Sequence, residues 1–516
     1  MNLVKDSILI NEVAGQNSCE VNVEGDIIVP DVKPDILKIL QVEATSNVTN
    51  KEIQNGRMNL SGKVNLKILY IPDKADESVK SILTSFDFSH QIENQNLTED
   101  MHNVVECDVS NVNFQLINSR KLHIKTTVAL EDTVFCNKSL DVITDIDSDT
   151  YTEINKKPLN ICNSVAATEE EFSVKDSVEI PSGKMSIREI LKIDYRISDK
   201  ELKPVTGKIV AKGTVNVCIL YVGDNNNIEF MEFDIPFTEV FSAPDVNDST
   251  QCEINYNVND MYYEIAEDSD GDKRIVNLEF LITAQINACE NMNIDIVNDF
   301  YCPGLETKIE RQSYTLNNIV YQTCSQNNLR EIIAIDNNSP QIVGVYNVIT
   351  KAYITKTSLE HNKLYVEGII DCYILYLSDN TDNPVFSYKK EIPFNYLLDA
   401  PNCTDDMDCI VTADIEHSSY SLNMANEVEL RCILNICAKI TEQKNINLIS
   451  DYELAELNND AKMGIVIYFV QKGDTLWKIA KHYHVALDEI IKLNNLDPNA
   501  QLMIGQQLII PVSRKK

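Results

Sequence analysis

The sequence lacks long apolar runs and has little positive charge. No stretch of the 516 residues approaches eighteen consecutive apolar residues, and a helix needs about that many to cross a lipid bilayer. Lys and Arg number 45 against 79 Asp and Glu, which gives a formal net charge of −34. Nucleic acids are bound by clustered basic side chains that neutralise phosphates. We therefore expect neither a membrane-spanning helix nor a nucleic-acid-binding protein.

The motifs of nucleotide binding and catalysis are missing as well. No Gly-rich phosphate loop of the Walker or dinucleotide type is present, and no Ser/His/Asp or Cys/His spacing stands out. His482 and His484 form the only close histidine pair, two residues apart, where the side chains would point in different directions. The segment Asp268–Asp272 has the acidic pattern of a calcium loop, but it lacks the closing glutamate, so a turn is favoured. We therefore expect a protein that is not an enzyme and has no cofactor or metal.

The amino terminus and the cysteines both bear on the cellular compartment. Met1–Asp6 does not combine a positively charged stretch with a following apolar run, so no secretory signal is expected. The fourteen cysteines occur singly, and several, such as Cys218 and Cys432, lie in apolar strand patterns where a free thiol behaves as a small hydrophobe. This usage predicts a protein of the reducing cytoplasm and not a disulfide-stabilised extracellular protein.

The last fifty residues predict a strand, two short helices and a returning strand. Gly473 and Asp474 end the first strand, and Asp474 is placed to cap the next helix. Apolar residues recur at helical spacing through both helices. They are Leu476, Ile479, Ala480 and Tyr483 in the first helix, and Leu487, Ile490 and Ile491 in the second. Turn residues at 494–498 stop the second helix, and Leu508–Ile510 form the last strand.

This segment, from about Ile467 to Val512, resembles the LysM domain, a βααβ module that holds N-acetylglucosamine polymers such as peptidoglycan and chitin. The resemblance implies a shallow groove between two loops, one after the first strand and one before the last. The implied groove residues are Gly473, Asp474, Thr475, Leu476, Trp477, Asn494, Leu496, Met503 and Ile504. Two alternatives remain open: Leu476 and Ile504 are simply core residues of an unused groove, and Trp477 either anchors a partner or packs on the domain core.

The residues before this segment contain an internal repeat. A glycine-led strand occurs three times, at Gly62–Tyr70, Gly213–Tyr221 and Gly368–Tyr376, with the glycines 151 and 155 residues apart. Upstream, Val29–Leu40 matches Ile180–Leu191 at the same offset of 151 residues. Landmarks that keep one register over such distances indicate homologous domains.

Three further landmarks follow each glycine-led strand in the same order. They are a second strand at Asp87–Ser89, Asp234–Phe237 and Glu391–Phe394, an alternating strand beginning at Leu122, Val276 and Val428, and an apolar pair with an aspartate at Val142–Asp145, Ile296–Asp299 and Leu448–Asp451. Period-two alternation dominates, and helical spacing is limited to stretches such as Ile187–Leu191 and Leu329–Ile333. The fold class is therefore mainly β, with three tandem antiparallel β domains, each a β-sandwich or similar, and a small C-terminal βααβ domain. We place the domains at 1–150, 151–305 and 306–455, a linker at 456–465 and the LysM domain at 466–513.

Tandem β domains followed by one C-terminal LysM domain resemble the SPOCS family of clostridial spore-coat proteins. The resemblance implies a protein of the mother-cell cytoplasm at the forespore surface, which joins the coat morphogenetic ATPase SpoIVA and helps attach coat layers and other coat proteins. It also implies that the LysM domain can have a protein ligand. Under this hypothesis Leu476, Trp477, Met503 and Ile504 are apolar anchors, with Lys472 and Lys478 as a basic surround.

Two other hypotheses remain. One is a cell-wall protein whose LysM domain binds peptidoglycan or another N-acetylglucosamine polymer, with the repeats as spacers. The absence of a secretory signal and the unpaired cysteines weigh against it. The other is an enzyme, which the missing catalytic pattern weighs against. A non-enzymatic coat adaptor is the function that the sequence favours.

Overall fold

The computed structural model describes the whole chain except residues 55, 75–78, 94–96, 99–100, 337–338, 381–383, 424–425, 457–463, 498–500 and 513–516. Most of the predicted linker, Pro498 of the predicted helix stop and Arg514–Lys516 therefore lie outside the described residues. The strands are β1 (Asn2–Ile28), β2 (Ile36–Gln54), β3 (Arg57–Pro72), β4 (Lys80–Glu93), β5 (His102–Asn118), β6 (Lys121–Asp147), β7 (Glu153–Glu179), β8 (Ile187–Val205), β9 (Lys208–Gly223), β10 (Ile228–Ser242), β11 (Gln251–Glu267), β12 (Lys273–Tyr301), β13 (Leu305–Ala334), β14 (Ile342–Glu360), β15 (Lys363–Ser378), β16 (Val385–Asp399), β17 (Asp408–Asn423), β18 (Glu427–Glu456), β19 (Gly464–Phe469) and β20 (Gln507–Val512). The helices are α1 (Leu476–His482) and α2 (Leu487–Leu493).

Each repeat is built from two three-stranded antiparallel sheets, which confirms the predicted fold class. In the first repeat the strand orders are β1-β6-β5 and β2-β3-β4, and the other two repeats have the same orders at the equivalent strands. Apolar residues from both sheets of a repeat meet in one buried cluster. Each repeat therefore has its own sandwich core, as alternating strands with one apolar face require.

In each repeat, the glycine of the glycine-led strand and a phenylalanine of the next strand are cross-strand partners. Gly62 pairs with Phe88, Gly213 with Phe237 and Gly368 with Phe394. The phenylalanine ring lies over the glycine, so a Cβ atom there would come within 2.2–2.5 Å of a ring carbon. An aromatic side chain that covers a strand glycine in this way fixes the register of the pair. The two landmarks therefore recur together because each needs the other.

The tyrosine that ends each glycine-led strand is also shared. Tyr70, Tyr221 and Tyr376 are fully buried. Their hydroxyl groups donate to the main-chain carbonyls of Pro34, Met185 and Pro340 at 3.0–3.1 Å. Each acceptor lies 36 residues before its tyrosine, in the segment that leads into the second strand of the repeat. These bonds satisfy a buried polar group and tie that segment to the sandwich.

The two stretches in which we expected helical spacing are strands. Ile187–Leu191 begins β8, and Leu329–Ile333 lies in β13. The pattern at the first stretch arises from register shifts after Ile187 and after Ile190, because each bulge breaks the period-two alternation and produces spacing that resembles a helix. At the second stretch, continuous pairing with β18 determines the conformation.

The first and last strands of each repeat extend beyond the sandwich as two-stranded ribbons. Their paired parts are 2–13 with 135–147, 153–164 with 289–301, and 305–319 with 441–456. We call these three ribbons together the β-stem. Apolar side chains from all three ribbons share one buried cluster, formed by Ile8, Ile10, Leu140, Val142, Leu159, Ile161, Ile296, Leu316, Ile446 and Leu448. The apolar pairs read from the sequence thus join the three repeats.

A second apolar cluster joins the repeats at their glycine-led sheets. It contains the equivalent residues Leu69, Leu220 and Leu375 of the central strands. It also contains Leu40, Leu191 and Tyr346, which lie at equivalent register shifts in β2, β8 and β14. A bulge turns a side chain away from the alternation of its strand, and here the bulged residues of all three repeats meet.

The cysteine usage differs from the expectation. Cys324 and Cys437, directly opposite each other on β13 and β18, form a disulfide. The prediction that the cysteines are unpaired was wrong for these two, because residues 113 positions apart in sequence become neighbours only through strand pairing. Among the residues that the structure describes, no helix is long and apolar enough to span a membrane.

Candidate binding site in the C-terminal domain

The C-terminal domain folds as β19, α1, α2 and β20, which confirms the predicted βααβ order. Thr475 and not Asp474 is the N-cap of α1, and its hydroxyl accepts from the Lys478 amide at 3.2 Å. The Asp474 carboxylate instead accepts from the Tyr468 hydroxyl at 2.7 Å and from the Gln471 amide at 2.8 Å. Gly473 has φ +88°, and this left-handed turn lets Asp474 reach back to the strand.

Electrostatics around Asp474 favour its charged form. The Gln471 amide, which donates to this carboxylate, lowers its pKa, with further contributions from Tyr468 and Lys478. The Lys478 ammonium also donates to the Gly473 carbonyl at 2.9 Å. The loop after β19 is therefore a fixed structure with an anionic group held inside the turn.

The core of this domain is small and apolar. Leu476, Ile479 and Ala480 of α1 pack with Ile490 of α2 and with Leu508 and Ile510 of β20, and all are buried. Leu476 is 8% exposed, and Leu496 is partly buried against the same cluster. These two predicted groove residues thus belong to the domain core.

The two loops of the predicted groove are held next to each other by main-chain bonds. The Val470 amide donates to the Gln506 carbonyl at 2.9 Å, and the Gly505 amide donates to the Val470 carbonyl at 2.8 Å. Met503 and Ile504, which directly precede Gly505 in the second loop, are 76% and 72% exposed. Two adjacent apolar side chains with so little cover make this loop a candidate interaction surface.

Asn494 has a structural role in this geometry. Its side-chain amide donates to the carbonyls of Ile490 and Ile509 at 2.9 and 2.7 Å, and its oxygen accepts from the Ile509 amide at 2.7 Å. These bonds tie the end of α2 to β20. The structure thus places Gly473, Asp474 and Thr475 in one loop, Met503 and Ile504 in the other, and Asn494 in the frame between helix and strand.

The Trp477 side chain packs against the second repeat. Its indole Nε1 donates to the Asp299 carboxylate at 2.9 Å, and the Lys481 ammonium lies 2.5 Å from the same carboxylate. The indole ring meets the Tyr301 ring edge-on, with centroids 5.1 Å apart. These contacts fix α1 against the end of the β7/β12 ribbon of the β-stem.

The turn between the two helices completes this junction. The buried Tyr301 hydroxyl donates to the Val485 carbonyl at 2.9 Å, and burial raises the pKa of Tyr301, so the hydroxyl keeps its proton. The Gly304 amide donates to the His484 carbonyl at 2.8 Å, and the Leu487 amide donates to the Glu153 carboxylate at 3.0 Å. The domain is therefore docked through α1 and the following turn, and we call this contact the stem junction.

Sequence reasoning did not identify the residues of the stem junction outside the LysM domain. Asp299 was noted only as a repeat landmark, together with Asp145 and Asp451. Asp145 instead lies 3.4 Å from Lys156 and accepts from the Ile146 amide. The three aspartates follow a shared register shift, and nothing local distinguishes the one that receives Trp477.

We expect Asp299→Ala to weaken the stem junction. The substitution removes the acceptor of the Trp477 indole and the counter-ion of Lys481, and hydrogen bonds to charged groups contribute about 1.5–3 kcal/mol each. Hydrogen exchange should become at least about tenfold faster in α1 and in the turn after it. Asp145→Ala, at the equivalent position of the first repeat, is the matched control and should leave that exchange unchanged. Equal protection in the two variants would show that Asp299 does not hold the domain.

Comparison with protein families agrees with this architecture. A model described as the SipL, SPOCS domain matches three times, at residues 35–117, 186–266 and 341–423. A LysM domain model matches residues 468–511. Each SPOCS match spans the second to the fifth strand of a repeat, so the long strands that form the β-stem lie outside it. No curated protein and no solved structure matches the chain.

Proposed function

The chain belongs to the SipL-like family of proteins with SPOCS domains and a LysM domain, and we propose from this that it is a non-enzymatic adaptor of spore-coat assembly. Both are non-catalytic binding domains, and their combination fits a sporulation or coat adaptor or a cell-wall-binding protein. In our proposal the LysM domain docks on the coat-building ATPase SpoIVA at the forespore surface, in the mother-cell cytoplasm. The chain then helps attach coat layers.

The observation that carries this proposal is the orientation of the LysM domain. Its helical side is held in the stem junction by Trp477 and Lys481, whereas Met503 and Ile504 remain 76% and 72% exposed. A domain held on its own body on one side presents its other loops in a fixed direction, which lowers the entropic cost of binding. We assign these two exposed apolar side chains, Met503 and Ile504, as the anchors that contact the partner.

Charge and hydrogen bonding support a protein ligand over a glycan. Lys472 and Lys478 are exposed beside the first loop, so an acidic partner surface would be attracted to the same side. The Asn494 side-chain amide uses both of its donor bonds and accepts one bond within the domain, so it has no N–H left to donate to an acetamide. Met503 and Ile504 offer apolar contact and no side-chain hydrogen bond.

The test compares two kinds of ligand in parallel. Full-length protein is used for a pull-down of SpoIVA from sporulating cells and for sedimentation with purified peptidoglycan. We expect Met503→Asp with Ile504→Asp to lower SpoIVA recovery at least about tenfold, since burying a charge at an apolar anchor removes 1.4 kcal/mol or more of binding. Val32→Asp is the matched control, because Val32 is an exposed apolar residue of the first repeat, 92% exposed.

A deletion tests the same assignment in cells. Removal of the residues after about Lys462 should abolish localisation to the coat and leave the three repeats folded, as judged by circular dichroism of the purified protein. If the truncated chain still surrounds the forespore, the LysM domain is not the docking element. Recovery with peptidoglycan and not with SpoIVA would support the cell-wall alternative.

A further inference from the structure

Two thiols meet at the point where the β7/β12 ribbon leaves its sandwich. Cys162 of β7 and Cys289 of β12 are diagonal neighbours, because Cys289 pairs with Ser164 and Cys162 pairs with Asn291. Side chains two positions apart lie on the same face of a strand, so the two sulfur atoms share one face of the ribbon. The two thiols perturb each other's pKa, and both residues are partly exposed.

A cation and a cavity lie beside this thiol pair. The Lys439 ammonium of the third repeat acts on both sulfur atoms, and it lies 3.7 Å from the Glu253 carboxylate. A cavity of about 330 Å³ between the second and third ribbons is lined by Cys162, Asn291 and Glu442, among others. Small molecules can therefore reach Cys162 from the gap between two ribbons, and Cys289, outside the cavity lining, is itself partly exposed.

Cys289 is the more acidic of the two thiols. A hydrogen bond from Cys162 and the nearby Lys439 charge outweigh burial and the Glu253 charge, and they lower the pKa of Cys289 to about 7. The same hydrogen bond, together with burial, raises the pKa of Cys162. Lowered thiol pKa beside a cation, with partial exposure, is the environment of a reactive cysteine.

We propose that Cys162 and Cys289 are a thiol-exchange site that takes up a low-molecular-weight disulfide and closes a second cross-strand bond in the β-stem. The Cys289 thiolate attacks one sulfur of the small disulfide, forms a mixed disulfide and releases one thiol. The Cys162 sulfur then attacks the Cys289 sulfur, its proton passes to the second leaving group, and a second small thiol departs. The protein loses two electrons and two protons, and the small disulfide is reduced to two thiols.

The third repeat already contains a cross-strand disulfide, between directly opposite residues. Cys324 and Cys437 are joined across β13 and β18, close to the start of the neighbouring ribbon. Cys437 lies two residues before Lys439 on the same face of β18. Lys439, which acts on the thiol pair of the second repeat, is therefore also close along β18 to the disulfide of the third repeat.

The experiment uses the full chain after reduction and removal of the reductant. Oxidised glutathione is added near neutral pH, remaining thiols are alkylated at intervals, and peptides are identified by mass spectrometry. We expect glutathione on Cys289 first and then a peptide that links Cys162 to Cys289. Cys289 should also react with iodoacetamide on the order of tenfold faster than Cys252, since burial raises the pKa of Cys252.

Two variants distinguish the roles of the thiols. In Cys162→Ser the mixed disulfide on Cys289 should accumulate, because no second thiol resolves it. Cys252→Ser, in the same repeat, is the matched control and should form the Cys162–Cys289 link at the normal rate. The proposal is overturned if no linked peptide forms while the Cys324–Cys437 bond is restored, or if Cys289 reacts no faster than Cys252.

Discussion

Replacement of Lys192 by methionine is expected to destabilise the protein by about 3–5 kcal/mol, the cost of leaving a buried charge without its partner. Lys192 is 1% exposed, and its ammonium lies 2.5 Å from the Glu43 carboxylate and 2.9 Å from the Asp194 carboxylate. Lys67 lies 3.2 Å from Asp194, so two cations balance two anions. Loss of Lys192 leaves one uncompensated negative charge in the junction between the repeats.

This network joins all three repeats. Glu43 and Lys67 belong to the first repeat, Lys192 and Asp194 to the second, and the Asn347 amide of the third donates to Asp194 at 3.2 Å. Lys192 and Asn347 follow equivalent register shifts in β8 and β14. The stability lost in Lys192→Met should therefore allow the repeats to separate before they unfold. Urea unfolding of the full chain should show this as an additional transition at low urea.

Two comparison variants control this prediction. Lys200→Met removes a pair with Asp414 that is 2.8 Å long but mostly solvated, and such pairs contribute about 0–1 kcal/mol. Lys192→Met with Glu43→Gln restores charge balance and should recover part of the lost stability. If Lys192→Met costs no more than Lys200→Met, the buried network does not hold the repeats together.

At acidic pH the stability of Lys192→Met should come closer to that of the native protein. In the native protein, Asp194 is desolvated, but the Lys192 and Lys67 charges outweigh this and hold its pKa below its usual range. Its stabilising contribution is therefore present above about pH 4, the unfolded pKa, and is lost as pH falls through the folded pKa. In the variant, protonation of Asp194 leaves one carboxylate for the one remaining cation, Lys67, so the difference from the native protein should shrink below about pH 4.

Much of the architecture could be predicted from the sequence because it is encoded locally. Period-two alternation gives strands, and the shared landmarks Gly62–Phe88 and Tyr70 give three equivalent units. The β-stem could not be predicted, because a strand in a ribbon and a strand in a sandwich alternate in the same way. Val142 and Ile296 are apolar in either setting, and only the packing of three ribbons shows that they share one core.

The candidate site also has a part that could be predicted from the sequence and a part that could not. The resemblance to the LysM domain predicted two adjacent loops, and a main-chain bond between Val470 and Gly505 holds them together. The pattern could not predict that Trp477 is bound by Asp299, 178 residues earlier in the chain. Which residues of the groove contact a ligand stays a prediction.

The second large effect is expected at Gly368. An alanine Cβ at this position would lie 2.2 Å from Phe394 Cζ and 2.4 Å from the Tyr353 carbonyl oxygen. Main-chain and ring atoms would both have to move, so we expect a loss near the upper end of the 1–3 kcal/mol that overpacking costs. Gly344→Ala in the same repeat is the matched control, since nothing lies within 4 Å of its Cβ position. Urea unfolding of the two variants gives the comparison.

The equivalent glycine of the second repeat should behave differently. The three atoms nearest to an alanine Cβ at Gly213 all belong to the Phe237 ring, the first at 2.5 Å. The register shift between Ser198 and Glu201 leaves Gly213 without a partner on β8, so no main-chain atom comes as close as the Tyr353 carbonyl does at Gly368. Phe237→Leu should therefore relieve Gly213→Ala, whereas Phe394→Leu should not relieve Gly368→Ala, where the carbonyl of Tyr353 remains. Double-mutant cycles measure this coupling. Equal coupling at the two sites would mean that the ring alone, and not the paired strand, makes glycine necessary at this position.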